Sequence, residues 1–216
     1  MAILLAILAI CSGTYSQYVI VYDGDSITYG SGARDYEDYP SQLMDLLGAH
    51  FRYDWFNEAV PGETTEDIIS GGAAVDLLYD SNAPSNIVCV MGGTNNGNGA
   101  DTCYISADSI YANLVTYCTA RQSQGFKVII LTLLPCGRDN WINYGWEAKR
   151  DSVNTELRSN YATFADALCD VGASPLIGDS LDAYNTTYFD SDRVHLNATG
   201  YGVMADSVIK YVEALI

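Results

Sequence analysis

Short, almost wholly apolar runs alternate with longer segments whose apolar residues recur at helical spacing, and this alternation narrows the fold more than any other feature. Residues 17–22, 51–56, 86–91 and 127–133 read as strands, with 162–168 as a fifth. Helices are predicted over 41–47, 64–79, 106–124, 144–158 and 202–215. Thr64 is a candidate cap followed by acidic residues, and Gly125 a stop signal. Strands that are apolar throughout are covered on both faces, which calls for a parallel sheet between two helical layers. Right-handed crossovers then bring every strand's C-terminal end to one edge, where ligands bind near the topological switch point. The polar, glycine-rich segments 23–32, 57–64 and 92–99 all fall there.

The 216 residues fit one domain, assigned to 17–216. Residues 1–10 are apolar and 11–16 small or polar, resembling the core and cleavage regions of a secretory signal peptide without its positive start. The run is too short to span a bilayer. Secretion is therefore the expectation, the alternative being an N-terminal segment packed on the domain. Acidic residues number 27 against 10 basic ones, a net charge of -17, which repels nucleic acid and anionic membrane surfaces. Neutral substrates fit better, with neither nucleic acid nor stable membrane association expected. None of the cysteines forms a C-x-x-C pair, so no zinc pattern is present. Cys103 with Cys118 and Cys136 with Cys169 are conceivable disulfides, and Cys89, inside an apolar run, is expected to be free. Asn185 and Asn197 begin N-x-T sequons.

Chemistry concentrates in three segments. Asp23-Gly24-Asp25-Ser26-Ile27-Thr28 follows the first strand directly. A serine at a strand-to-helix turn exposes its hydroxyl and frees its backbone N–H, as a nucleophile that shares in an oxyanion hole requires. A Gly-Asp-Ser triplet alone turns up by chance in roughly one chain in twenty of this length, so its position carries the weight. The chain has two histidines, His50 and His195. Asp192 precedes His195 by three residues, close enough to bond Nδ1 and leave Nε2 to accept a serine proton. His50 lacks such a carboxylate and reads as a surface or packing residue. Gly62 offers a backbone N–H, and Asn95, in the Gly92-Gly93-Thr94-Asn95-Asn96 run, a neutral side-chain donor. Asp25, Trp141 and Tyr144 are candidate substrate contacts, aromatic faces with polar neighbours suiting sugar rings or an acyl pocket.

Gly24-Asp25-Ser26, Gly62, Gly93-Thr94-Asn95 and Asp192-Arg193-Val194-His195 resemble, in order and placement, the four sequence blocks of the SGNH or GDSL hydrolases. The resemblance runs from about Tyr18 to the C-terminus. It implies a three-layer α/β/α, flavodoxin-like sandwich with a five-stranded parallel sheet in the order 2-1-3-4-5. It further implies Ser26 as nucleophile, His195 as base, Asp192 as orienting acid, and the Ser26 N–H, Gly62 N–H and Asn95 amide as oxyanion hole. No metal or organic cofactor is required. One departure is Asn96, where the family usually has aspartate, and it bears on loop geometry more than on activity. The expected function is hydrolysis of short acyl esters, acetyl foremost, of carbohydrate. Alternatives are a general short-chain carboxylesterase, a thioesterase or lysophospholipase, or a non-catalytic carbohydrate-binding protein on the same scaffold.

Overall fold

The computed structural model describes residues 17–48, 52–97 and 104–216, and of Asn140 only the backbone. The N-terminal segment, His50, Cys11 and Cys103 lie outside the described residues. Five strands, β1 (Tyr18–Gly24), β2 (Tyr53–Asn57), β3 (Asn86–Met91), β4 (Lys127–Leu131) and β5 (Ala167–Cys169), form one sheet in the order β2-β1-β3-β4-β5. Every pairing is parallel. β3 is buried at every position and β1 at all but its first, as their unbroken apolar sequences require.

The helices are α1 (Ser26–Tyr29), α2 (Tyr39–Leu47), α3 (Thr65–Asp76), α4 (Ala107–Gln124), α5 (Asp139–Asn143), α6 (Trp146–Asn160) and α7 (Ala198–Leu215). α2 packs on α7, while α3 packs on α4 and α4 on α6. The strand order explains this division. The chain steps from β1 outward to β2, then back past β1 to β3, and right-handed crossovers in opposite directions put their helices on opposite faces. The reversal leaves a crevice at the C-terminal ends of β1 and β3, and Ser26 follows β1 there.

Gly24 closes β1 with φ +145°, and a Cβ on it would lie 2.1 Å from Met91 O of β3. Only glycine permits both the backbone shape and this approach. Gly24→Ala is expected to cost about 3 kcal/mol or more, combining backbone strain with overpacking. A urea midpoint equal to that of the parent would contradict this.

Most boundaries follow the sequence, and the departures have local causes. The segment expected as strand 162–168 pairs only from Ala167, because the Phe164 and Ala165 amides turn back onto Tyr161 O (2.9 and 2.8 Å). The helix expected over 144–158 starts at Trp146, since Gly145, at φ +74°, separates it from α5. α7 begins four residues before the expected 202, at Ala198, where Asn197 Oδ1 accepts from the Thr199 and Gly200 amides. The disulfide readings fail: Cys118, Cys136 and Cys169, like Cys89, are free buried thiols. Apolar packing, which pushes the Cys136 and Cys169 thiols up to about 12, holds them without a cross-link.

Candidate active site

Residues from both ends of the domain meet at the β1 edge. Asp25 caps α1 by accepting from the Ile27 amide (3.0 Å), which orients the first turn and presents Ser26. His195 Nε2 stands 2.8 Å from Ser26 Oγ. On its other side Nδ1 is 2.6 Å from Asp192 Oδ2. Asp192 Oδ1 meanwhile accepts the Val194 and His195 amides, both at 3.0 Å, so one carboxylate fixes the loop and the ring together. These amides and the imidazole hold the Asp192 carboxyl below its usual range against the opposing effect of burial. With the proton on Nδ1, Nε2 is left to accept the Ser26 hydroxyl.

The neighbouring loops are tied to the same place. The Val60 amide donates to Gly24 O (3.1 Å) and Asn57 Nδ2 to Thr28 O (3.2 Å), fastening the loop after β2 to the serine turn. Gly62 has φ +91°, and a Cβ there would meet nothing within 4 Å, so its backbone faces open space. Asn95 Nδ2 donates to Glu63 O at 2.8 Å, which joins the loop after β3 to Gly62's neighbour and leaves its second N–H uncommitted. Such neutral donors suit the charge that develops on a carbonyl oxygen under attack.

Asn96 shows what the substitution at the family's aspartate position does. Its Oδ1 accepts from Thr65 N (2.9 Å) and Oγ1 (3.1 Å), as a carboxylate would, while its Nδ2 donates to Glu66 Oε2 (2.9 Å). An aspartate here would set a second negative oxygen against Glu66. The amide therefore preserves the loop geometry beside an acidic neighbour.

The three candidate substrate contacts fare differently. Asp25 is fully buried, and its carboxylate serves the α1 cap; burial, the largest cause, pushes it up to about 6. Trp141 is also buried, with its indole N–H donating to Thr94 O (2.8 Å), so it braces the loop that carries Asn95 instead of offering a face to ligand. Tyr144 is exposed, near Tyr104 at a ring-centroid distance of 6.5 Å. Two further residues support the site. Arg138, preceding α5, lies 3.8 Å from Asp192 Oδ2, and Asn154 of α6 pins the loop after β4 by bonding Leu133 N (2.7 Å) and O (2.9 Å). Arg138 stands among the polar neighbours of Trp141 and Tyr144 in the sequence, but its approach to Asp192, like the bond of Asn154 to Leu133, joins residues distant in the chain.

Three carboxyls near this edge are held high. Burial is the main cause for each, bringing Asp23 and Asp25 to about 6 and Glu63 to about 7, the last helped by Asp23, Asp67 and Asp25. A carboxyl with a raised folded pKa binds more protons folded than unfolded between about pH 4 and its folded value. Stability from these groups is present at the acid side of that window and is lost as pH rises through about 6 to 7. Carboxyls held low, such as Asp192, Asp166 and Asp170, oppose this only below about pH 4. The thermal midpoint is expected to rise by about 5 °C or more between pH 8 and pH 5. A midpoint that falls over that interval would refute the assignment.

A hydrogen-bonded serine, imidazole and carboxylate at the switch point of a parallel sheet define a class, the Ser-His-Asp hydrolases of three-layer α/β/α architecture. The profile of the GDSL-like Lipase/Acylhydrolase family matches residues 24–203. The chain belongs to that family and is a hydrolase of acyl esters. Solved structures with the same fold include TesA, with TM-score 0.71 and 18% identity over 92% of this chain and 99% of that one. A lipolytic G-D-S-L protein from Veillonella parvula gives 0.72 and 20% over 92% and 100%. The psychrotrophic esterase EstA from Pseudoalteromonas sp., in a structure inhibited by monoethylphosphonate, gives 0.67 and 16% over 91% and 97%. No protein of curated function matches the sequence.

Proposed function

We propose that the chain is a serine esterase that removes short acyl groups, acetyl foremost, from carbohydrate through an acyl-enzyme on Ser26. The observation that carries this reading is the unbroken chain of contacts, 2.8 Å from Ser26 Oγ to His195 Nε2 and 2.6 Å from His195 Nδ1 to Asp192. His195 takes the Ser26 proton as Oγ attacks the ester carbonyl. The oxyanion is held by the Ser26 and Gly62 amides and the free N–H of Asn95. Collapse breaks the ester C–O bond, and the leaving alkoxide receives the proton from His195. Water, deprotonated by the same imidazole, then attacks the acyl-enzyme and releases the acid and Ser26. Asp192 orients the ring and stabilises its protonated form.

The carbohydrate preference draws on exposed aromatic rings and on net charge. Tyr144 stands exposed one residue beyond α5, and Arg138, which precedes that helix, approaches Asp192. The charge of -17 opposes anionic lipid surfaces. Measuring acetate released from acetylated xylan, beside rates on thioesters and longer acyl esters, tests it. Faster turnover of long-chain esters or thioesters than of the polysaccharide would replace it by one of the broader alternatives. Export belongs to the same reading, resting on the apolar run 1–10, and N-terminal sequencing of protein recovered from the medium tests it.

A further inference from the structure

A pocket of about 300 Å³ lies between the 29–38 loop and β2, in the size range of small-molecule sites. It is built on the same helical turn as Ser26. Tyr29 closes α1 at its far end, the Gly30 amide bonds Ser26 O (3.2 Å), and Asn57 on the opposite wall donates to Thr28 O. Three residues of α1 separate Ser26 from Tyr29, an axial rise of about 4.5 Å, and Gly32, in the loop that carries Tyr36, lies against His195: a Cβ on it would be 2.9 Å from His195 Cβ.

The lining is unusual for a surface that serves only the fold. Tyr29 is 54% exposed and Tyr36 78%, and Trp55 of β2 lines the same pocket. Tyr36 holds φ +67°, a conformation costly for a bulky side chain. The other non-glycine residue with positive φ among the described residues is Arg193, between Asp192 and His195. Backbone strain of this kind persists where surrounding structure enforces it, and it gathers at ligand sites. The loop is indeed held: Tyr201 Oη donates to Ser31 O (2.6 Å), the Arg34 amide to Glu37 Oε2 (3.1 Å), and Gln42 Nε2 to Glu37 O (2.6 Å). Its phenol ring is therefore displayed on a fixed support, at a conformational cost that packing does not return.

Chemistry selects the ligand. The Arg34 guanidinium and Asp35 carboxylate are exposed and make no hydrogen bond or ion pair among the described residues. An acyl chain lying here would desolvate both without partners. An anion would meet Asp35 and Asp38 in a strongly acidic chain. A neutral ring with an apolar C–H face and hydroxyls at its rim satisfies both kinds of group. We propose that this pocket seats a pyranose ring of the ester's sugar portion, with Tyr36 and Tyr29 as stacking faces and Arg34 and Asp35 as hydrogen-bonding partners. The proposal rests on the carbohydrate esterase reading above and names where the alcohol portion lies.

Tyr36→Gly tests it, removing ring and strain together while leaving the fold intact. The assay compares mono-acetylated xylo-, manno- and cello-oligosaccharides with 4-nitrophenyl acetate. The variant is expected to raise KM for at least one saccharide ester about tenfold or more beyond its effect on the nitrophenyl ester, a typical result of truncating a binding aromatic. Its thermal midpoint should equal or exceed that of the parent. Unacylated oligosaccharides provide a second measurement, because Trp141 and Trp146 are buried and Trp55 is left to report binding by fluorescence. Equal changes on both substrate types, or saccharide KM and binding unaltered in both Tyr36→Gly and Arg34→Ala, overturn the proposal. If the parent enzyme cleaves nitrophenyl acetate but no acetylated saccharide, the carbohydrate reading of the function fails on its own. The titration then decides for the pocket: Tyr36-dependent binding of sugar sustains it, and no binding overturns it.

Discussion

Replacing Ser26 by alanine is expected to lower kcat on any ester substrate by about 10⁴-fold or more while leaving stability within about 1 kcal/mol of the parent. The hydroxyl is partly exposed and its one side-chain hydrogen bond among the described residues is with His195 Nε2, so the fold loses one modest hydrogen bond and a single small atom. The reaction loses its nucleophile. His195→Ala should cost a comparable factor, and the double variant little more than either alone, because a nucleophile without its base and a base without its nucleophile are equally idle. A fluorophosphonate probe should add one adduct to the parent and none to Ser26→Ala. Ester turnover persisting in Ser26→Ala within tenfold of the parent would sink the assignment, and labelling at another residue would show where to look.

The sheet was legible because β1 and β3 are apolar at almost every position, a pattern that only burial on both faces explains. Alternation with helices then fixed parallel pairing, and the order of the blocks placed Ser26 and His195 at one edge. β5 was misplaced because Phe164 and Ala165 are buried like strand residues while their amides close a turn on Tyr161. Hydrophobicity reports burial and says nothing of where an amide points. Trp141 misled for a related reason. An indole beside Arg138 and Tyr144 reads as a ligand face, and its burial against the Thr94 carbonyl depends on a contact 47 residues away. The Tyr36 loop had the opposite failing. A tyrosine between Asp35 and Glu37 has no distinctive local pattern, and its positive φ and exposure become visible only when the loop is tied down by Tyr201 and Gln42.

Asp192→Asn is expected to reduce kcat by roughly 10³- to 10⁴-fold with the fold intact, a larger loss than the distance of this group from the substrate suggests. An asparagine can still accept the Val194 and His195 amides through its oxygen, as Asp192 Oδ1 does at 3.0 Å, so the loop keeps its shape. That orientation turns the amide nitrogen toward His195 Nδ1, where Asp192 Oδ2 now stands at 2.6 Å. A donor facing Nδ1 favours the tautomer protonated on Nε2, and an Nε2–H cannot receive the Ser26 proton. Asp190, whose backbone amide donates to His195 O (2.8 Å), makes no side-chain hydrogen bond to the imidazole among the described residues, so Asp192 is the carboxylate that orients the ring. Asp192→Ala provides the contrast, because it removes the acceptor without imposing a donor and frees the two loop amides. It should therefore lose stability as well as rate. The two variants separate tautomer control from loop support when kcat and the urea midpoint are measured on both. Full activity in Asp192→Asn would mean that His195 is oriented by something other than this carboxylate.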